Sequence, residues 1–255
     1  MHLRADHKET SIRVLRQLIH TYPLGILTTA IPSKNHATIL SSHIPFILDV
    51  QDATSPTELG TLRGHIARPN PQSKSMSESL VAQGKPSGSF LTDEVLVLFT
   101  SPVQHYVTPK FYTATKPATG KVVPTWNYAA AQAYGRARIF FDAKDPETGA
   151  FLAKQIRDLS RHAEESVMGF DGAEGREGPW SVEEAPEKYV EVLSRGIIGI
   201  EIEIERLEGK FKMSQELGEG DREGVVRGFE GRGGEVGREM AETVRVRGEM
   251  KAAKK

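Results

Sequence analysis

The stretch VLVLFTSPVQHYVTPKFYTATKPATGKVVPTWNYAAAQAYGRARIFF, Val95 to Phe141, sets the terms for the rest of the chain. It opens with an apolar run, Val95 to Phe99, whose length and composition predict a strand buried on both faces. Pro102 ends the run. The irregular segment that follows carries His105, Tyr106, Lys110, Tyr112, Lys116, Lys121, Trp126 and Asn127, side chains suited to an aromatic, phosphorylated ligand. A second β-pattern then leads from Thr125 to Phe141. Two core strands joined by a polar, aromatic, lysine-bearing loop form a scaffold that presents a binding site.

Around this stretch the chain alternates short strands with a few helices. His7 to Thr21 predicts an amphipathic helix with Ile12, Leu15, Leu18 and Ile19 on one stripe and Arg13, Arg16 and Gln17 outside. Strands are expected over Leu24–Ile31, Ala37–Leu48 and Leu59–Ala67. Pro45, which lacks a ladder donor, marks an edge, a bulge or a place where a ligand replaces a strand neighbour. A short helix begins near Pro71, and Ser75 to Thr92 reads as a loop with one or two helical turns. Asp145 to Glu165 predicts a helix on Phe151, Leu152, Ile156 and Leu159. A Gly-rich loop covers Asp171 to Pro179, and Glu187 to Leu193 forms a short helix. Ile198, Ile200, Ile202 and Ile204 alternate with Gly199, Glu201, Glu203 and Glu205, a strand with one solvated face that continues toward Met213. Roughly six strands with helices added give a mainly β protein, a closed or nearly closed barrel with helical decoration. The domain expected is residues 1–215, followed by a Gly-, Glu- and Arg-rich tail, 216–255, either separate or part of the same domain, with two short helices on Val225, Val226 and Phe229 and on Val236, Met240 and Val244.

Composition narrows the chemistry. The formal net charge of −1 supplies no bulk field for nucleic acid or an anionic membrane. The absence of cysteine removes disulfides, thiolate nucleophiles and iron–sulfur clusters. No apolar run approaches the ~20 residues that span a bilayer. The N-terminal segment lacks the apolar core of a signal peptide, so a soluble protein of the cytoplasm is expected, the nucleus being left open. No Gly-x-Ser-x-Gly, His-Glu-x-x-His or Walker loop occurs, and no catalytic residue is assigned.

Three sets of candidate ligands follow from residue types alone. In GHIARPNPQ (Gly64 to Gln72) a strand end supplies Arg68 beside a helix start, a phosphate-binding arrangement that Asn70 and Gln72 extend with neutral donors; the competing reading is a Pro-bounded turn with an exposed arginine. Trp126 offers a stacking face and Asn127 a donor and an acceptor, against a core indole whose neighbour closes a turn. Lys110 and Tyr112 lie in TPKFY, where a lysine meets a phosphate as a point charge.

The words VTPKFYTATKPATGKVVPTWNY, SSHIPFIL (Ser41 to Leu48) and GHIARPNPQ together resemble the PaiB-type family of FMN-binding split-barrel proteins, described as negative transcriptional regulators. The resemblance implies an FMN-binding split β-barrel and a homodimer with the flavin at the subunit interface. It implies that SSHIPF lies along the flavin ring edge, bringing Ser41, Ser42, His43 and Pro45 close, with His65 in the companion motif. It also implies that Lys212, Ser214 and Gln215, in GKFKMSQE (Gly209 to Glu216), reach the cofactor. Glu216 departs from the asparagine that family versions often carry there. Three functions stay open: a flavin used as a redox or sensory group, an FMN-dependent oxidoreductase among them; a transcriptional regulator; and a haem-binding barrel using His36, His43, His65 or His105. No helix-turn-helix stands out, and the basic residues beyond Asp221 are nearly matched by acidic ones, which weakens direct DNA binding.

Overall fold

The computed structural model describes residues 1–173 and 175–253; residue 174, inside the Gly-rich stretch Asp171–Pro179, and residues 254–255 lie outside the described residues. Among the described residues are nine strands and seven helices. In chain order the first are β1 (Lys8–Glu9), α1 (Ile12–Thr21), β2 (Leu24–Ala30), β3 (Ile39–Pro45), β4 (Ile47–Asp49), β5 (Thr61–Ala67), α2 (Pro71–Ala82) and β6 (Ser89–Thr100). There follow β7 (His105–Val107), α3 (Thr115–Thr119), β8 (Thr125–Phe140), α4 (Pro146–His162), α5 (Glu187–Ser194), β9 (Ile197–Lys212), α6 (Glu219–Arg232) and α7 (Gly234–Ala252). The chain divides into two compact units, one of Met1–Ser11, Thr100–Ala131 and Glu208–Lys255, the other of Ile12–Phe99 and Gln132–Leu207.

The larger unit is a split barrel. Its strands pair in the order β3-β2-β6-β8-β9-β5-β4. The hydrogen-bonded path is open rather than closed: β3 and β4 are its two ends. The chain itself joins those ends at Phe46, so one kinked segment pairs with β2 by its first half and with β5 by its second. Phe46 is fully buried at that corner, its ring 6.0 Å from Phe99 in an edge-on contact. Pro45, opposite Leu24, falls at the end of β3, where a missing donor costs the ladder nothing.

Alternation explains the core. Val95, Val97 and Phe99 point inward, as do Ile198, Ile200, Ile202 and Ile204. Leu96 and Leu98 are only half-buried, so the Val95–Phe99 run has one inner face and one partly open face. Gly135 in β8 has a specific reason to be glycine: a Cβ there would lie 1.9 Å from the carbonyl oxygen of Glu203, where β8 and β9 run too close for a side chain. The Asp145–Glu165 helix is found as α4, capped by Asp145 and continued by a π-helical turn, Ala163–Met168.

Three local expectations are corrected. Helix α1 starts at Ile12, because Lys8 and Glu9 pair as a strand with Lys210 and Gly209 inside the smaller unit. Arg16, expected outside, is buried: its guanidinium donates to the carbonyls of Ala53, Ser55 and Glu58 at 2.8 to 3.0 Å and clasps that loop. The Ser75–Thr92 region is helical through Ala82, because Asn70 caps α2, Pro71 occupies its first turn, and Met76 and Leu80 anchor it.

In the smaller unit β7 pairs with the head of β8. Residues 219–252 form two long helices rather than short ones, with Val225, Phe229, Met240 and Val244 buried as their spacing predicts. Asp221 accepts hydrogen bonds from the backbone N–H groups of Ala114 and Thr115 at 2.8 and 3.0 Å. Gly224 lets α6 press on the 109–113 turn, since a Cβ would sit 2.1 Å from the Phe111 carbonyl oxygen. None of the described helices is long and apolar enough to cross a membrane.

Candidate functional site

Eight of the expected ligands lie in the larger unit. Ser41 and His43 are exposed on β3, and Ser41 Oγ lies 2.9 Å from Thr28 Oγ1 on β2. Ser42 Oγ accepts from Asn70 Nδ2 at 3.2 Å, while Asn70 Oδ1 accepts the Gln72 N–H at 2.8 Å. Gln72 is buried, and its Nε2 reaches Leu27 O, Leu40 O and Thr29 Oγ1 at 3.0 to 3.1 Å, tying α2 to β2 and β3. Its Oε1 has no partner. His65 on β5 is half-buried, with an unpartnered Nδ1, and burial pushes its pKa down.

Arg68 has turned toward backbone. Its Nε donates to Arg195 O at 3.1 Å, Nη1 to Phe141 O at 2.7 Å and Nη2 to Ile197 O at 3.1 Å. A guanidinium has five N–H groups, so two remain for any other acceptor. Arg68 thus fastens the ends of β8 and β9 beside the start of α2.

The other seven lie in the smaller unit, and five of them converge. Trp126 at the head of β8 is 50% exposed and meets the half-exposed ring of Tyr106 edge-on, centroids 6.3 Å apart. The next residue, Asn127, is completely buried and exchanges hydrogen bonds with Ser214: Nδ2 donates to Oγ at 3.0 Å, and Oγ lies 3.2 Å from Oδ1. Ser214 adopts φ 59°, the one non-glycine residue in the left-handed region among those described. Such strain persists only where surrounding contacts enforce it, and it concentrates at functional sites. Gln215 locks the same turn, its Oε1 accepting the Met213 N–H at 2.6 Å and its Nε2 donating to Phe211 O. Lys212 Nζ donates to Trp126 O at 3.1 Å and to the Thr125 hydroxyl. Burial lowers the Lys212 pKa, Glu216 raises it, and Lys210 and Arg4 lower it. Tyr112 is buried, which pushes its phenol up with help from Glu216 and Asp221. Lys110 stands exposed on the 3-10 turn Pro109–Phe111.

Trp126 also lines a cavity of about 340 Å³ with Thr100, Ser101, Gln104, Tyr128 and Ala129. That volume sits at the lower end of small-molecule sites. Sequence reasoning missed Thr100, Ser101, Gln104 and Tyr128, although Tyr128 shares the face of Trp126 by the two-residue period of a strand. A larger cavity, about 670 Å³, lies on α4 and α5 and holds none of the expected residues; its arginines Arg157 and Arg195 are paired with Glu183 and Glu191. Of the remaining histidines considered, His36 Nε2 lies 3.3 Å from Glu78 Oε1 and His105 Nδ1 2.8 Å from Tyr106 O. No cluster of His, Asp and Glu suited to a metal ion occurs among the described residues.

The donor set suits a planar, anionic group. It combines an open indole face, a second aromatic ring, a half-buried ammonium and hydroxyl and amide groups at a cavity mouth. The family match points the same way. The family described as "Putative FMN-binding domain" matches residues 1–206. An uncharacterised protein of Aspergillus fumigatus is 58% identical over the full length of both chains. The protease synthase and sporulation protein PAI 2 of Bacillus subtilis is 24% identical over 95% of each chain. Among solved structures, the flavocytochrome Anf3 of Azotobacter vinelandii superposes with a TM-score of 0.45 at 10% identity, over 83% of this chain and 72% of that one.

Proposed function

We propose a flavin-binding role for this chain, which belongs to the FMN-binding domain family just described, with FMN as the cofactor. The observation that carries this reading is Trp126: a half-exposed indole beside a cavity, with the Lys212 ammonium fixed on its own backbone carbonyl. A bound flavin supplies reversible electron transfer, and the protein supplies its binding, orientation and electrostatic setting.

The chain's residues divide the work by their chemistry. Trp126 and Tyr106 offer stacking surface to a planar ring. Lys212, and the exposed Lys110, offer positive charge to a phosphate or to an electron-rich ring. Thr100, Ser101 and Gln104 offer hydroxyl and amide groups to ring oxygens and nitrogens. Asn127 and Ser214 bond to each other and Gln215 bonds to backbone, so their part is to hold the turn that sets Lys212. In the larger unit, taken by itself, Ser41 and His43 are exposed on β3, His65 Nδ1 has no partner and Arg68 keeps two N–H groups.

The same reading includes a homodimer. Its support is the outer face of the larger unit's sheet, where Ile39 and Leu24 are 68% and 55% exposed and Leu96 and Leu98 are half-buried. A charge placed there, Ile39→Glu, is expected to shift the mass seen by light scattering to that of one chain; an unchanged mass refutes the dimer face. The regulatory role suggested by the resemblance is tested by DNA binding across a salt titration, where binding that weakens steeply with salt supports contact with phosphates.

Titration of the flavin-free protein with FMN, followed by quenching of flavin fluorescence, tests the central assignment. Trp126→Ala is expected to weaken binding about tenfold, the equivalent of ~1.4 kcal/mol of lost stacking. Equal affinity in the variant would remove Trp126 from the site.

A further inference from the structure

In the smaller unit, the turn after β9 places one carboxylate between two bases. Glu216 Oε2 lies 3.0 Å from His7 Nε2, and Oε1 lies 3.9 Å from Lys212 Nζ. His7 is 2% exposed, and its Nδ1 has no partner. Lys212 and Glu216 keep 18% and 19% of their side-chain surface open. The ammonium is therefore reachable by a ligand yet only partly hydrated. Its other contacts, Trp126 O and the Thr125 hydroxyl, fix its direction but bring no negative charge.

We propose that Glu216 is a positioning residue, gripping buried His7 with one oxygen and holding the Lys212 ammonium with the other, so that the ammonium meets the phosphate or the electron-rich ring edge of the bound flavin. This inference rests on the flavin reading above. The groups that bear on Lys212 are few and of known sign. Burial, Lys210 and Arg4 all favour loss of its proton, and Glu216 alone among the named influences opposes them. Tyr112, close enough to feel Glu216 and Asp221, is held neutral by burial and by those carboxylates. His7 anchors the far side of the carboxylate, so that Glu216 does not depend on Lys212 alone for its position. A carboxylate near an anion site, unfavourable at first sight, here serves the cation that binds the anion.

The partner of the ammonium is either the anionic phosphate or the electron-rich, hydrogen-bond-accepting edge of the neutral flavin ring, and the choice of probe separates them. FMN and riboflavin are titrated into flavin-free protein at rising pH up to about 10.4, the ordinary lysine value, below which a lowered pKa must fall. Lys212 binds an anion only while protonated, so affinity falls as pH rises through its folded pKa. Glu216→Gln keeps a hydrogen-bonding group for His7 but removes the charge. The fall is then expected at a pH lower by roughly half a unit or more, the scale of unit charges about 4 Å apart near water. Lys212→Gln is expected to weaken FMN about tenfold and to flatten the profile over this range. A shift seen with FMN only assigns the phosphate; a shift seen with both probes assigns the ring; both support the proposal. Coincident profiles for wild type and Glu216→Gln overturn it. The Lys212 ammonium is also titrated by NMR without flavin, where Glu216→Gln must lower its midpoint and an unchanged midpoint again overturns the proposal. If the wild type takes up neither flavin, the flavin reading falls and the site role with it. The NMR titration then still decides whether Glu216 governs Lys212.

Discussion

Replacing Arg68 by alanine separates two roles for a residue that sequence reading assigned to a phosphate. Its three donated bonds go to the carbonyls of Phe141, Arg195 and Ile197, which belong to the segments at the ends of β8 and β9. Two of the bonds are part-buried and the third is exposed. Water replaces the exposed bond at little cost. Each part-buried, charge-assisted bond contributes about 1.5 kcal/mol, the low end for a charged donor. Arg68→Ala should therefore lower the unfolding free energy of the flavin-free protein by about 3 kcal/mol. Arg68→Lys should recover little of that, because an ammonium cannot reach three divergent acceptors with the geometry of a planar fork. Urea unfolding followed by far-ultraviolet circular dichroism gives the midpoints, and the slopes show whether the unfolded state changed too. FMN affinity is measured at a temperature where the variant is folded. A loss of stability below about 0.5 kcal/mol, together with a large loss of FMN affinity, would refute the clasp and return Arg68 to the phosphate.

The strained turn and two half-buried histidines give two further predictions. At Ser214, φ 59° favours glycine over alanine, so Ser214→Gly should be more stable than Ser214→Ala by about 1 kcal/mol in urea midpoints, although both lose the bond to Asn127; the opposite order would mean that the turn relaxes. His65 and His162 have pKa values lowered chiefly by burial. The unfolded chain then binds more protons than the native one as pH falls below about 7, so stability should drop on acidification from about pH 7 to 5, by at most ~1.4 kcal/mol per pH unit for each histidine. Unfolding midpoints across that range check this, and His65→Gln should reduce the slope; a flat profile contradicts burial of both imidazoles.

The strands were legible wherever one face is buried, because the two-residue period then appears in the residues themselves. The isoleucine and glutamate alternation of β9 is the clearest case, and Pro45, which left an edge, a bulge or a ligand contact open, lies in β3 at one end of the strand path. What escaped was long-range. Nothing near Arg16 in sequence shows that the carbonyls of a loop some forty residues away will bury it. The Ser-rich start of α2 lacks an amphipathic pattern, and its helix rests on the Asn70 cap and on Met76 and Leu80. The C-terminal helices looked weak because their glycines lower helix propensity; Gly224 is there for the backbone of the 109–113 turn, a contact no local pattern reveals. At the site, Trp126, Lys110 and Tyr112 stood out by residue type. The resemblance singled out Lys212, Ser214 and Gln215, and the structure explains why those three are spaced as they are: a cation, a left-handed hinge and a side-chain lock in one turn. Glu216 stands where family versions often carry asparagine, and nothing near it in sequence shows its partner, His7, more than two hundred residues earlier.

The most direct test is the absorbance spectrum of the purified protein, followed by acid release and identification of any chromophore. Flavin bands are expected near ~450 and ~370 nm, the spectrum of the cofactor itself, with FMN released at about one per chain. A colourless protein that also fails to take up added FMN, or a Soret band from bound haem, would contradict it.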